Sequence, residues 1–235
     1  MSVDENKTEK ESGKEIIKNV IKRYTTGEEI FNSVSHGIGA CLSIAALVMC
    51  VVAAVLWQGT VLAVLSAVIY GVSLIILYMA STLYHALINP TAKKVFRIFD
   101  HSSIFILIAG TYTPILLVSL QNGVNNMLGI VMCSALWGLA ILGIVLNSLN
   151  IEKFKILSMI LYICMGWAAV LTAKPLIDSI AITGAVLIVI GGVAYTGGLA
   201  FYGMKKLRYM HSVWHLFVLA GSVTHFLAVI LYVYN

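Results

Sequence analysis

Residues 61–86 read VLAVLSAVIYGVSLIILYMASTLYHA, an uncharged run whose polar members are serine, tyrosine, threonine and histidine. A membrane-spanning helix needs about 20 predominantly apolar residues, so this stretch is long enough to cross a bilayer. Its hydrophobicity is continuous, whereas a strand of a membrane β-barrel alternates in polarity over about ten residues. The stretch therefore predicts a transmembrane α-helix.

Six further stretches of the same kind accompany it. The predicted spans are 32–56, 61–86, 102–120, 127–147, 155–173, 180–202 and 212–234. Because the breaks between them are short, we expect an all-α fold, a seven-transmembrane helix bundle in one domain over residues 28–235. Residues 1–27 form a polar segment before it, and within them 14–24 are typical either of an interfacial helix on the inner leaflet or of a soluble amphipathic segment packed on loops.

The composition excludes an ordinary soluble globule. Hydrophobic residues make up 60% of the 235 positions and charged residues 11%, and the mean hydropathy is +0.96. The net charge of +5 does not indicate a nucleic-acid partner, because 13 of the 25 charges lie in residues 1–29 and the others lie in short breaks between apolar runs. We expect a multi-pass protein of the plasma membrane whose partners are membrane lipids. The four cysteines lack CxxC spacing and predict neither a disulfide framework nor a cysteine metal site.

The basic residues predict the orientation, because lysine and arginine mark cytoplasmic loops. Fourteen of the 15 lie in the N-terminal segment or in the connections after the second, fourth and sixth spans, and Lys174 is the exception. The N-terminus is therefore expected in the cytoplasm and the C-terminus outside. Only an odd number of spans agrees with this alternation.

The beginning of the first span carries two polar patterns. Thr26-Gly27-Glu28-Glu29 fits a capping box, which opens a helix by exchanging hydrogen bonds between its first and fourth residues. Glu29, Asn32, Ser33 and His36 then follow at positions i, i+3, i+4 and i+7, on one face of the helix. Two roles stay open for this polar stripe: support of a nearby site, or polar contacts between helices.

A second group of polar residues lies at the predicted cytoplasmic ends of three spans. Ser81 and His85 are four residues apart on the second span, and His211 and His215 are four apart on the seventh. Asp100 stands at the start of the third span. Ionisable residues inside membrane helices are costly, so each requires an explanation. The topology places all five side chains at the same depth, just inside the inner interface.

Metal binding explains this set. Two histidines four apart on one helix can reach a single ion, and a third from another helix completes three nitrogen ligands, the pattern of a catalytic zinc site with an open fourth position. Asp100 and Ser81 are then expected beside the metal, orienting water. The competing interpretation assigns the histidines to hydrogen bonds between helices and Asp100 to the first turn of the third helix, near its positive end. His101 is expected to face the headgroups, and His225, about 15 Å deeper than His215, to make a packing hydrogen bond.

Several motifs, in this order, resemble the bacterial haemolysin III family, which is related to the progestin and adiponectin Q receptors and more distantly to alkaline ceramidases. They are Asn32-Ser33-Val34-Ser35-His36-Gly37, Ser81-Thr82-Leu83-Tyr84-His85, Phe99-Asp100-His101-Ser102-Ser103, Gly110-Thr111-Tyr112-Thr113-Pro114 and His211-Ser212-Val213-Trp214-His215. The resemblance covers roughly residues 28–235. It implies seven membrane helices and a Zn²⁺ ion held near the cytoplasmic face by His85, His211 and His215. It also implies that Ser81 and Asp100 lie beside the water bound to this metal.

Three functions agree with these patterns. The first is a zinc-dependent hydrolase acting on a lipid amide or ester, with Asp100 and Ser81 as catalytic residues. The second is a non-enzymatic role in lipid sensing, with zinc as a structural link between helices. The third is a pore-forming cytolysin, which the family name implies, although the spans lack the rings of charge of a conventional ion pore. The resemblance favours a role in membrane lipid homeostasis; the patterns indicate neither a substrate nor an oligomeric state.

Overall fold

A computed structural model describes residues 24–121, 124–204 and 207–235, and all regular secondary structure in these ranges is helical. The prediction of an all-α fold is therefore confirmed. The amphipathic segment 14–24 lies outside the described residues except for Tyr24.

The helices are numbered in chain order. They are α1 (Thr26–Ala53, extended by a π-helical turn Ala54–Gln58), α2 (Val61–Ala86), α3 (Pro90–Leu117), α4 and α5 within Val124–Gly166, α6 (Ala173–Gly203), and α7 (Met210–Ala228, extended by a π-helical turn Val229–Val233). Asn150 (φ −166°, ψ 101°) interrupts Val124–Gly166 and separates α4 (124–149) from α5 (151–166). A 3-10 helix, Ala168–Thr172, follows α5, and a second break at Ile180 and Ala181 lies inside α6.

Four helical stretches of the described chain are long and apolar enough to cross a membrane. They are Thr26–Gln58, Val61–Ala86, Asn126–Gly203 and Met210–Val233. Asn126–Gly203 contains the backbone breaks at Asn150 and at Ile180–Ala181. Each predicted span coincides with a helical region, so the chain is a helical membrane protein.

The packing of α1 is the reverse of that in a water-soluble helix. Its buried face is made of small or polar residues, namely Gly39, Ala40, Ser43, Ala46 and Cys50. Large apolar side chains point outward, and Ile38, for example, is 54% exposed. Small residues let membrane helices approach closely, while the outward aliphatic side chains suit a lipid surrounding.

At two positions the helices approach so closely that only glycine fits. A Cβ atom on Gly39 would lie 2.5 Å from the ring of Tyr78, at the contact of α1 with α2. On Gly198 it would lie 2.7 Å from the ring of Trp214, at the contact of α6 with α7. A glycine at each of these two contacts therefore lets the paired helices approach closely.

The capping box of α1 is one residue earlier than predicted. Thr25 is the N-cap: Glu28 N donates to Thr25 Oγ1 over 3.3 Å, and Thr25 N donates to Glu28 Oε2 over 2.8 Å. The prediction of a box from Thr26 to Glu29 is wrong because Glu28 takes the capping position. The side chain of Glu29 is consequently available for other partners.

The third helix begins well before the predicted span. Asn89 caps it by accepting hydrogen bonds from Thr91 N (3.0 Å) and Ala92 N (3.1 Å), and Pro90 occupies the first turn. Lys93, which the predicted spans place in the connection after the second span, therefore lies in a helix. Asp100 lies about three turns inside α3, so its interpretation as a first-turn residue is wrong.

Two hydrogen bonds relate the ends of α1 to the last helix. Tyr209 N, just before α7, donates to Glu28 Oε1 over 2.8 Å at the start of α1. At the other end of α1, Gln58 Nε2 donates to the carbonyl oxygen of Tyr234 over 3.0 Å. The two helices therefore run in the same direction. The start of α1, the end of α2 and the start of α7 meet at one end of the bundle, where the candidate site lies.

Candidate metal centre

Three histidine side chains converge at this end of the bundle. His85 is in the last turn of α2, and His211 and His215 are in the first two turns of α7. One ring nitrogen from each lies within 4.8 Å of the others, and the Nε2 atoms of His211 and His215 are 3.1 Å apart. Two nitrogens bound to a tetrahedral Zn²⁺ at about 2.0–2.1 Å are separated by about 3.3 Å. The three residues can therefore hold a metal ion with little movement.

The ring of His85 is held from the side opposite the cluster. Its Nδ1 lies 2.6 Å from Glu29 Oε2, and Lys93 Nζ lies 2.9 Å from Glu29 Oε1. Its Nε2 is buried and makes no hydrogen bond within the described ranges. A buried imidazole nitrogen without a partner is costly, and a metal ion would satisfy it.

The polar stripe of α1 contacts both helices that carry the histidines. Asn32 Oδ1 accepts a hydrogen bond from Ser212 Oγ over 2.6 Å, and Ser33 Oγ donates to the carbonyl oxygen of Thr82 over 3.3 Å. His36 stacks on His215 with a centroid separation of 3.6 Å. The stripe thus makes polar contacts between helices and lies against His215, while a role in supporting a metal site stays a prediction.

Ser81 and Asp100 line a cavity of about 130 Å³ together with His36, His211 and His215. Ser81 is 1% exposed. Asp100 Oδ2 lies 3.3 Å from His101 Nδ1. The structure therefore brings the predicted serine and aspartate to the cavity that borders the histidines, while their catalytic roles stay predictions.

His101 does not face the headgroups, contrary to the prediction. It lines the same cavity, and its Nε2 lies 3.4 Å from the hydroxyl of Tyr202 on α6. The longer α3 explains the difference, because His101 lies well inside the helix and not at its first turn. The ring connects Asp100 with the wall formed by α6.

Away from the histidines the cavity is bordered mainly by apolar side chains of α3, α5, α6 and α7. The polar atoms of two aromatic residues in this part bond elsewhere: Trp167 Nε1 donates to Thr196 Oγ1 over 3.0 Å, and the Tyr112 hydroxyl donates to the Gly166 carbonyl over 2.7 Å. The rings thus present apolar surface to the cavity. Such a lining fits a hydrocarbon chain.

His225 borders the cavity but is separate from the histidine cluster. Its Nε2 lies 3.0 Å from the carbonyl oxygen of Ile188 on α6, which confirms the predicted packing hydrogen bond. A Cβ on Gly191 would lie 2.2 Å from the His225 ring, so the imidazole is tightly packed against α6.

Tyr24 lies against the cluster just before α1. Its ring stacks on His211 with a centroid separation of 4.8 Å and lies 5.6 Å from the ring of His85. The sequence analysis includes Tyr24 in the amphipathic segment 14–24 but does not predict its contact with the histidines. It covers one side of the histidine group.

Glu29 and Lys93 are the site residues whose contacts the sequence analysis did not predict. The Asn89-Pro90 pair, a common helix start, was an available signal that Lys93 belongs to a helix. No local signal predicts the Lys93–Glu29 pair, because it joins two helices.

Comparisons with known proteins agree with this architecture. A family model described as "Haemolysin-III related" matches residues 24–226. Hemolysin-3 of Bacillus cereus is 43% identical over 206 residues, covering 88% of this chain and 92% of the relative. Hemolysin-3 homolog of Bacillus subtilis (strain 168) is 41% identical over 209 residues, covering 89% and 96%. The human monocyte to macrophage differentiation factor is 27% identical over 178 residues, covering 73% and 71%. With its helical membrane fold and these matches, the chain belongs to the haemolysin III-related family.

Proposed function

We propose that this protein is a zinc-dependent hydrolase of a lipid amide or ester that acts in membrane lipid homeostasis. The observation that carries the proposal is the position of three converging imidazoles, from His85, His211 and His215, beside an apolar cavity bordered by Asp100 and Ser81. Metal ligands, ionisable groups and an apolar surface are the parts that hydrolysis of a lipid requires.

The proposal includes a topology of seven spans in the plasma membrane, with the N-terminus in the cytoplasm. The backbone breaks at Asn150 and at Ile180–Ala181 support this count, because they fall between predicted spans or at the start of one. The Gln58–Tyr234 hydrogen bond supports an odd number of crossings, since it joins the C-terminus to the end of α1 opposite the histidines. The distribution of basic residues supports a cytoplasmic site.

His85, His211 and His215 would hold the zinc ion with one coordination position open, and the bound ion would supply a Lewis acid able to polarise a carbonyl and activate water. Asp100 accepts the proton of the attacking water and passes it to the leaving amine or alcohol as the amide or ester bond breaks. His101 Nδ1, which lies 3.0 Å from the carbonyl oxygen of Arg97 and 3.3 Å from Asp100 Oδ2, helps to position that carboxylate. Ser81 orients the water through its buried hydroxyl.

The apolar part of the cavity binds the hydrocarbon portion of the substrate. Apolar ring surface from Tyr112, Trp167 and Tyr195 surrounds this part. With a chain bound there, the carbonyl group of an amide or ester would lie near the histidines.

The experiment combines elemental analysis with lipid turnover by detergent-purified protein. We expect about one zinc ion per chain in the wild type, and release of a fatty acid from a lipid amide or ester. Asp100→Ala should keep the zinc and lose turnover, whereas His211→Ala should lose both. Equal product release by the metal-loaded wild type and both variants would refute catalysis at this site.

A non-enzymatic role is the second candidate, and the burial of His85 and His215 favours it. They are 3% and 2% exposed and belong to different helices, so a metal between them would tie α2 to α7. This function predicts that loss of the gene changes membrane order and that Asp100→Ala still restores it. If Asp100→Ala fails to restore membrane order while keeping its zinc, the structural role is insufficient.

The name hemolysin, which both Bacillus relatives carry, suggests cytolysis as a third candidate. Purified protein added to calcein-loaded liposomes tests it directly. Leakage no greater than that caused by an unrelated seven-helix protein would exclude pore formation under those conditions.

A further inference from the structure

A largely buried chain of polar contacts runs from α3 through α1 to the histidine of α2. Lys93 Nζ lies 2.9 Å from Glu29 Oε1, and Glu29 Oε2 lies 2.6 Å from His85 Nδ1. The side chains of His85 and Lys93 are 0% and 4% exposed, and that of Glu29 is 15% exposed. Each residue comes from a different helix, so tertiary packing brings the three together.

Lys93 is fixed at the outer end of this chain by further contacts. Its ammonium donates to the carbonyl oxygen of Leu87 over 3.3 Å and lies 5.2 Å from the ring centre of Tyr84. A buried ammonium is costly unless it is paired, and Glu29 supplies the opposite charge. Lys93 therefore holds one oxygen of Glu29, leaving the other for His85.

The contact with Glu29 selects the state of the His85 ring. A carboxylate accepts hydrogen bonds, so the nitrogen 2.6 Å from it carries the proton. In the neutral ring the lone pair then belongs to Nε2, which is buried and has no hydrogen-bond partner in the described parts of the chain. Histidines that bind metals commonly donate their other ring N–H to a carboxylate in this way.

The geometry points to Glu29 as a positioning residue of the metal centre, which holds His85 with Nε2 directed at the metal, and to Lys93 as the residue that holds Glu29. This inference rests on the proposed zinc site but not on hydrolysis. Glu29 acts through His85 and does not itself bind the metal.

The neighbouring carboxylate provides a matched control. Glu28 accepts hydrogen bonds from Thr25 and from Tyr209 N (2.8 Å), so it caps α1 and ties it to α7 without contacting His85. Glu28→Gln and Glu29→Gln are the same chemical change at adjacent positions. Their effects on the metal should differ although both remove a charge from the start of α1.

The test measures the zinc affinity of the purified full-length protein by competition with a chelator. Glu29→Gln should lower the affinity about 10- to 100-fold, and Glu28→Gln should change it much less. Lys93→Met should lower it as well. The double variant Glu29→Gln/Lys93→Met should be no weaker than Glu29→Gln alone, because Lys93 acts through Glu29. The visible absorption of Co²⁺-loaded protein should change in Glu29→Gln and stay unchanged in Glu28→Gln.

The outcomes separate this inference from the proposed function. A wild type that binds no zinc overturns the metal site and the inference with it. A wild type that binds zinc, with Glu29→Gln of equal affinity and an unchanged cobalt spectrum, overturns the inference alone. If Glu29→Gln does not purify as a folded protein, Lys93→Met decides, and an affinity equal to the wild type then refutes the chain of contacts.

Discussion

His36 and His215 stack face to face, with ring centroids 3.6 Å apart and ring planes inclined by 22°. The Tyr78 ring contacts the His36 ring edge to face, with centroids 4.9 Å apart, and fixes the His36 ring from a second side. Neither nitrogen of His36 makes a hydrogen bond to the described residues. The stack joins α1 to α7 and holds the imidazole of His215 in the orientation that faces His211.

We expect the shape of His36 to matter more for the metal centre than its nitrogens. His36→Phe keeps a flat ring on His215 and should retain zinc with an affinity close to the wild type. His36→Ala opens a cavity and should lower stability by roughly 2–4 kcal/mol, the range of large-to-small core substitutions. Zinc content and the melting temperature in one detergent measure both effects. Complete zinc loss in a folded His36→Phe protein would make His36 a ligand.

The two histidines of α7 at positions 215 and 225 allow a matched test of the cluster. His215 lies 3.1 Å from His211 between their Nε2 atoms, whereas His225 bonds to the carbonyl oxygen of Ile188. His215→Ala should therefore lose the zinc, and His225→Ala should retain about one zinc per chain, because a tetrahedral site needs its three protein nitrogens. Elemental analysis of both proteins measures this difference. Equal zinc content would contradict the assignment of His215.

Tyr24 covers the cluster through its stacking on His211, with centroids 4.8 Å apart. Removal of the ring should expose the metal to solvent and speed its extraction. Tyr24→Ala is expected to release zinc to a chelator several-fold faster than the wild type, while Tyr24→Phe, which keeps the ring, should resemble the wild type. Stopped-flow measurements with a chromogenic chelator give both rates, and identical rates in all three proteins would argue against a covering role.

The residues of the histidine cluster were accessible from the sequence because helical geometry is local. His211 and His215 are one turn apart, and the predicted alternation of spans puts the end of the second span and the start of the seventh on one side of the membrane. The count of predicted spans therefore predicts which helix ends lie at the same depth in the membrane. The same counting made Asp100 and Ser81 candidates, and both border the cavity.

The contacts of Glu29 and Lys93 could not be predicted from local sequence patterns. Thr25 and Thr26 are each followed three residues later by a glutamate, so the sequence offers two registers for the capping box. The contact of Glu28 with Tyr209 N, 181 positions away, is part of the structure that chooses between them. The charge count places Lys93 in a loop, because such a count contains no information about a buried partner on another helix.

The cavity predicts a variant that separates metal binding from lipid turnover. A Cβ on Gly192 would meet only the ring of Trp167, at 3.8 Å. The backbone there can therefore accommodate a leucine, whose side chain would fill part of the cavity. Gly192→Leu should keep its zinc and lose turnover several-fold. Gly203→Leu, at the end of the same helix with no atom within 4 Å of its Cβ, is the control. Unimpaired turnover in a zinc-loaded Gly192→Leu protein would show that the substrate binds elsewhere.

Two glycines of α4 test how the wall of this cavity is held. A Cβ on Gly143 would lie 2.2 Å from the ring of Phe105, a fully buried residue of α3, whereas a Cβ on Gly138 meets nothing within 4 Å. The Phe105 ring packs on Tyr162 with centroids 4.4 Å apart, and the Tyr162 hydroxyl donates to the carbonyl oxygen of His101 over 2.7 Å. A displaced Phe105 would therefore disturb the cavity wall beside Asp100.

We expect Gly143→Ala to lower stability by about 1–3 kcal/mol, because a methyl group forced into a filled contact strains the rings around it. Gly138→Ala should be neutral or stabilise by up to about 1 kcal/mol, since alanine favours the helix. Thermal denaturation of both variants in the same detergent measures the difference. Phe105→Leu should recover part of the loss in a Gly143→Ala background, because a smaller side chain makes room for the methyl group. If Gly143→Ala were as stable as Gly138→Ala, the Phe105 ring would be free to move, and this contact would not be what holds α3 against α4.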